Sequence, residues 1–246
     1  MNELKYRDTF RTLLADYRPS EATKRILRET RLVLLVGPSS AGRNTIINEL
    51  VAGGDYHFIV SDTTRQPRVN NGVPEQNGRE YWFRTEDDLL DELRQGKFLE
   101  AAIIHDQQVS GISVRELQKA QAAGRIAINE VEIDGAENVH RLKPDCVIIF
   151  VVPPAFDVWL QRLHARGKIP PAEIRRRLES SCQEFAAALK NDYYTFLVND
   201  SLEQAATDVR TLATGKPQDP AKVRAARSVV ERLLRQTQAY LERAAE

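Results

Sequence analysis

Cysteine is scarce, with two in 246 residues: Cys146 in an apolar run and Cys182 in a helical one. So few thiols exclude a small disulfide-built secreted scaffold and fit unpaired, buried cysteines in a reducing cytosol. Net charge is missing too, since 35 basic residues face 35 acidic ones. The broad basic surface of a general nucleic-acid binder is thereby excluded, and any anion site must be local. No apolar run reaches the ~20 residues that a membrane-spanning helix needs, and the opening MNELKYRDTF is too charged for a signal peptide. The four histidines are scattered, and no spacing of His, Cys or carboxylate outlines a zinc site. Neither an internal repeat nor a low-complexity segment is present. A cytoplasmic α/β protein is expected, with one domain plus additions or two small domains.

Against this plain background one stretch stands out, LVLLVGPSSAGRNTIINEL from Leu32 to Leu50. Five apolar residues run into Gly37-Pro38-Ser39-Ser40-Ala41-Gly42, and helical spacing then places Ile46, Ile47 and Leu50 on one face. Strand, glycine loop and helix in that order form a phosphate cradle: the glycines let backbone N–H groups close on a polyphosphate, and the helix start adds partial positive charge. The usual pattern G-x-x-x-x-G-K-[ST] ends differently here, with Arg43 in the place of the lysine and Asn44 in that of the hydroxyl. Arginine keeps the charge in a longer, planar fork. Asparagine offers a neutral carbonyl oxygen, which is tolerable because Mg²⁺ in such sites keeps several waters. Thr45 lies about 100° round the helix. A glycine turn that holds no ligand is the competing reading.

Residues 2–31 read as two short helices broken at Pro19-Ser20. A strand from Tyr56 to Ser61 leads into Ser61-Asp62-Thr63-Thr64-Arg65-Gln66-Pro67-Arg68, where two arginines flanking a proline suit a clamp on a small phosphate. A polar loop from Val69 to Gly78 follows, and then Arg79 to Phe83 alternates like a strand. Trp82 and Trp159 read as core. Further on, Gly167-Lys168-Ile169-Pro170-Pro171 interrupts a helical pattern as a hinge-like loop, with arginines on both sides that can close on a phosphate. Arg175 and Arg176 read as solvated. Past a linker at Gly215–Pro220, a last helix from Ala221 to Ala244 carries an apolar stripe that either lies back on the chain or makes a homodimer contact.

Taken in order, GPSSAGRNT, SDTTRQPR, GREYWF, Phe98-Leu99-Glu100-Ala101-Ala102, the segment from Gly124 to Gly135, Phe150 to Pro154, Arg162 to Gly167, and Val198-Asn199-Asp200 resemble the guanylate kinase family over about residues 32–213. The resemblance implies a P-loop NTPase fold of the α/β class, with a central parallel sheet, a β-rich monophosphate-binding region at 61–112 and a helical lid at 162–178. Residues 1–31 and 214–246 would be an N-terminal helical extension and a linker with a C-terminal helix. It implies ATP held by Gly37, Ser39, Ser40, Ala41, Gly42, Arg43, Asn44 and Thr45, with Asn199 near the adenine and Mg²⁺ near Asn44 through waters. It also implies GMP held by Ser61, Arg65, Arg68 and Tyr81, with Glu100 accepting from the guanine N1–H and amine and Glu130 and Glu132 completing the GMP-binding set. Arg43 and the lid arginines Arg162, Arg166 and Arg177 would serve the transfer.

Three departures from the family pattern sit near these positions. Arg43-Asn44 is one. A second phosphate-binding tyrosine is missing, its place taken by Val109 or Ser110, and the paired aspartates of the strand Ile126 to Glu132 appear as Glu130 and Glu132 on one strand face. The expected activity is ATP-dependent phosphorylation of GMP or dGMP. The alternatives are a silent binding module for a nucleotide or phosphopeptide, and a kinase of another nucleoside monophosphate. Neither nucleic acid nor membrane is an expected partner.

Overall fold

The computed structural model describes residues 4–70, 72–104, 106–165, 167, 169–216 and 218–243. In chain order the elements are α1 (Arg7–Ala15), α2 (Glu21–Glu29), β1 (Leu32–Val36), α3 (Arg43–Ala52), β2 (Tyr56–Phe58), β3 (Asp62–Thr63), β4 (Val69–Asn70) and β5 (Val73–Pro74). There follow β6 (Trp82–Phe83), α4 (Glu86–Arg94), β7 (Phe98–Ile104), β8 (Gln108–Ser113), α5 (Val114–Ala122), β9 (Ile126–Glu130), α6 (Ile133–Leu142), β10 (Val147–Val152) and α7 (Phe156–His164). The chain ends with α8 (Pro171–Lys190), β11 (Tyr194–Val198), α9 (Leu202–Ala213) and α10 (Pro220–Arg243). None of the described helices is long and apolar enough to cross a membrane.

A five-stranded sheet runs in the order β11-β10-β1-β9-β2, with β1 and β11 each parallel to β10. Its inner strands, LVLLV and VIIFVV, are nearly all buried, as continuous apolar runs must be when both faces of a parallel sheet are covered. A second sheet has the order β6-β3-β8-β7, and β4 pairs with β5. The chain divides into two compact units: residues 1–31, 55–127 and 138–144 in the first, and 32–54, 128–137 and 145–246 in the second.

The first unit holds the four-stranded sheet. Its core gathers Leu4 and Phe10 of the N-terminal extension with Leu89, Leu90, Leu93, Phe98 and Val109. Helix starts are written in the sequence: Ser20 accepts from the Thr23 amide and Thr85 from the Asp88 amide, and α4 opens with three acids that favour the positive end of a helix.

In the second unit Phe150 of β10 meets Phe185, Tyr194 and Phe196 edge-on, and Trp159 is fully buried against Phe156 and Phe185. Helix α10 buries Ala226, Val230, Leu233 and Thr237 within this unit, sets Tyr240 on Phe156, and sends Arg227 to the Leu189 carbonyl. The middle of its apolar stripe is thus packed within the unit, while Val223 is exposed. Neither cysteine forms a disulfide among the described residues; Cys146 is buried and Cys182 half-buried.

Candidate active site

In the second unit, β1 runs into the Gly37–Gly42 loop and α3 opens at Arg43. Gly37 and Gly42 have φ of +135° and +97°, and a Cβ at either would collide, with the Val151 carbonyl and the Asn199 amide respectively. Only glycine satisfies both demands. Two loop carbonyls are held from outside: the Trp159 indole N–H donates to Ser39 O at 2.8 Å, and the Asn199 amide donates to Ala41 O at 2.8 Å. A trans peptide directs its N–H opposite its C=O, so the amides of Ser40 and Gly42 face the other way. The first-turn amides of α3 follow directly, and helix geometry gives them no carbonyl one turn back, so this is the local geometry an anion site needs. Ser40, at φ 65°, has a buried hydroxyl with no hydrogen-bond partner among the described residues.

The expected cations lie around this loop in different ways. Arg177 donates to Ser39 Oγ at 3.5 Å and is held by Glu173 at 2.7 Å. Hydrogen bonds from Arg176 and Arg177 hold the half-exposed Glu173 carboxyl down at about 2. Arg162 donates to the Asn199 carbonyl at 3.0 Å, one residue link from the loop. Arg43 is turned onto the end of β9, with Nε 3.4 Å from Glu130 and Nη1 donating to the Val131 carbonyl at 3.4 Å. Arg166 lies outside the described residues. Asn199 is buried, its amide used by the loop and its N–H by Val152 O at 2.7 Å. Arg175 and Arg176 are exposed or nearly so and paired to Glu179 and Glu173.

Glu130 and Glu132 do not share a strand face as the alternation predicts. β9 ends at Glu130, and Glu132 gives its carbonyl to the Ala136 amide at 3.0 Å as the residue before α6. Helix capping overrides the period of two at that point. A third carboxylate that the sequence did not single out is Glu184 of α8, one of whose oxygens is buried without a partner among the described residues. Burial, with Glu132 adding repulsion against the attraction of Arg43, raises it to about 7.

Asn44 and Thr45 are exposed at the head of α3, and no cluster of three metal-ligating side chains occurs among the described residues. Two neutral oxygens at a helix start fit Mg²⁺ that keeps its waters and arrives on nucleotide phosphates. They do not fit an all-protein metal cage.

In the first unit Arg65 lies bidentate on Glu75, at 2.9 Å through Nη2, with its guanidinium 4.7 Å from the Tyr81 ring centre. Glu75 also accepts from the Arg68 amide at 2.8 Å, while the Arg68 side chain is exposed. One internal carboxylate thus occupies the guanidinium fork of Arg65 and the backbone N–H of Arg68. Tyr81 precedes the short strand β6 rather than lying in a strand from Arg79, because its carbonyl accepts from the Gly78 amide in a turn. Ser61 accepts from the Trp82 amide through its carbonyl at 2.9 Å. Glu100 is half-buried on β7 opposite Ile112 of β8, and it lines a cavity of about 510 Å³. Of the two residues at the tyrosine's place, Val109 is in the core, and Ser110 faces Thr63 with its hydroxyl donating at 2.9 Å.

Two carboxylates in this unit escaped the sequence reading. Asp62 is fully buried between Arg115 at 2.7 Å and Arg84 at 3.0 Å. Glu116, also buried, accepts from Trp82 Nε1, Lys119 and the Val60 amide and meets His57 Nε2 at 3.0 Å. Trp82 is therefore half-buried where Trp159 is fully buried, and the indole N–H of each is hydrogen-bonded. Glu116 was detectable: it falls on the same helical face as Ala120, a carboxylate in an apolar stripe.

Burial pushes Glu116 up, but the bonds from His57, Lys119 and Val60 outweigh it and hold the group at about 2, below its ordinary 4.5. A depressed carboxyl stabilises the fold above its unfolded value, and that contribution is lost as the pH falls toward the folded one. Glu116→Gln is expected to cost about 3 kcal/mol at pH 7 and progressively less between pH 4.5 and 2. Urea unfolding of both proteins at pH 7, 4 and 3 checks this, and an equal cost at all three would contradict it.

A family profile described as guanylate kinase matches residues 29–215. The guanylate kinase of Corynebacterium diphtheriae is 36% identical over 188 residues, covering 76% of this chain and 95% of that one. That of Nocardia farcinica is 36% identical over 193 residues, covering 75% and 94%. A solved structure of guanylate kinase from Anaplasma phagocytophilum aligns with a TM-score of 0.53 at 20% identity, over 85% of this chain and 90% of that chain, and shows the same fold.

Proposed function

The chain belongs to the guanylate kinase family, and on that premise we propose that it transfers the γ-phosphoryl group of ATP to GMP or dGMP in the cytoplasm. The observation that carries this reading is the braced loop. Trp159 and Asn199 hold its carbonyls outward, so its amides are preorganised for phosphate before any ligand arrives.

In this reading the amides of Ser40 and Gly42 and the first turn of α3 hold the donor phosphates. Arg177 and Arg162 stand beside the loop to meet charge that develops on the phosphoryl group. Asn44 and Thr45 would face the waters of Mg²⁺ arriving with ATP, which would supply positive charge to the donor phosphates. The acceptor phosphate is held by Arg65, released from Glu75, together with Arg68 and the Tyr81 hydroxyl. Glu100 accepts from the guanine N1–H and amine. Adenine offers no such adjacent donor pair for that carboxylate to accept from.

A second reading is supported by where two key cations point: Arg43 is engaged by Glu130, and Arg65 by Glu75. A binding module that takes an anionic ligand in the first unit without phosphoryl transfer would look the same. Calorimetric titration separates the two. The kinase reading expects micromolar to sub-millimolar binding of both ATP·Mg²⁺ and GMP. Binding of GMP without ATP would favour the module.

A further inference from the structure

The strand that carries Glu100 is gripped by the N-terminal extension, which precedes the residues matched by the family profile. β7 is an edge strand, and the outward N–H and C=O groups of an edge strand need partners from elsewhere. One hydroxyl serves both groups of Phe98: Tyr17 Oη donates to the Phe98 carbonyl at 2.8 Å and accepts from the Phe98 amide at 2.9 Å. A step earlier, the Gly96 carbonyl accepts from the Ser20 amide at 2.9 Å and from Thr23 Oγ1 at 2.7 Å. Tyr17 is half-buried, and burial raises its hydroxyl to about 12, so it stays protonated and able to donate at any working pH.

The grip falls where the strand is irregular. Its register against β8 shifts between Phe98 and Glu100, and a bulge of this kind re-aims the side chain that follows it. A bulged edge strand does not fix that direction by its ladder alone. The extension also walls the space in front: Asp16, Tyr17, Arg18 and Pro19 line the same cavity as Leu99, Glu100 and Ala101.

We propose that Tyr17, with Ser20 and Thr23, is a positioning device for base selection: it pins the start of β7, fixes the direction of Glu100, and makes the α1–α2 connection the outer wall of the base pocket. The ligand class is a purine nucleoside monophosphate with an N1–H and a 2-amino group. This rests on the reading of Glu100 as the base acceptor.

Tyr17→Phe deletes the hydroxyl and keeps the ring. It is expected to raise the KM for GMP about 10-fold, to lower kcat by less than about 3-fold, and to lower the preference for GMP over IMP, which lacks the 2-amino donor, by about 5-fold. Thr23→Val, a second variant should the first not fold, is expected to move KM and preference in the same direction. As a reference, Glu86→Gln loosens the far end of the extension, where the carboxylate accepts from the Lys5 and Tyr6 amides at 3.0 and 2.9 Å. It should lower Tm without moving KM or the preference. Should Tyr17→Phe lower Tm but keep the wild-type KM and preference, or should Glu86→Gln shift them equally, the positioning role is overturned and the grip is only structural. If the wild-type chain binds no GMP by calorimetry, the proposed function falls, and this inference falls with it.

Discussion

Arg43→Ala is expected to lower kcat by about 10² or more, the scale seen when a preorganised charge is removed from a transition state. Arg43 is the first residue of α3, where the cradle amides converge, and its side chain is only 13% exposed. Its removal also leaves Glu130 and Glu184 without the attraction of Arg43, so repulsion against an incoming triphosphate rises just where attraction is lost. The KM for GMP should change little, because the acceptor side chains lie in the first unit. Arg43→Lys should recover part of the rate, since charge returns without the fork that reaches Glu130 and Val131. Initial rates of ADP release, with a thermal melt to verify folding, give the answer. A wild-type rate in Arg43→Ala would mean that the loop takes no part in phosphoryl transfer.

Glu100→Gln should have the second largest effect, on selection rather than on rate in general. The carboxylate offers only acceptors, whereas an amide turns one oxygen into a donor aimed at the guanine amine. A loss of about 10² in kcat/KM for GMP is expected, with little change for AMP, since a site built for a donor pair discriminates through groups left unpaired. The phosphate clamp is untouched, so competition by inorganic phosphate should be unaltered. Kinetics with GMP, IMP and AMP check this, and a retained preference for GMP would remove Glu100 from base reading.

Patterns that depend on neighbours in the chain were readable from the sequence, and patterns that depend on distant partners were not. The unbroken apolar run Leu32 to Val36 announced a buried parallel strand, and Gly37 and Gly42 announced the turn after it, because both follow from local geometry. The two extension helices broken near Pro19 and the long last helix were legible for the same reason. The role of Asn199 as a brace on Ala41 O was not, since its partner lies 158 positions away. Nor was the capture of Arg65 by Glu75, because the sequence shows charges but not which of them meet. Strand alternation failed at Glu132, where the helix start of α6 takes its carbonyl. The buried acid Asp62 looked like an ordinary polar residue until its two arginine partners were in place, whereas Glu116 broke an apolar helical stripe that the sequence does show.

Phosphoryl transfer to a guanine nucleotide is tested most directly by following ADP release from saturating ATP·Mg²⁺ with GMP, AMP, CMP and UMP in parallel. GMP is expected to give a kcat/KM at least about 10² above each of the others. No ADP with any of the four, or equal rates with all of them, would contradict it.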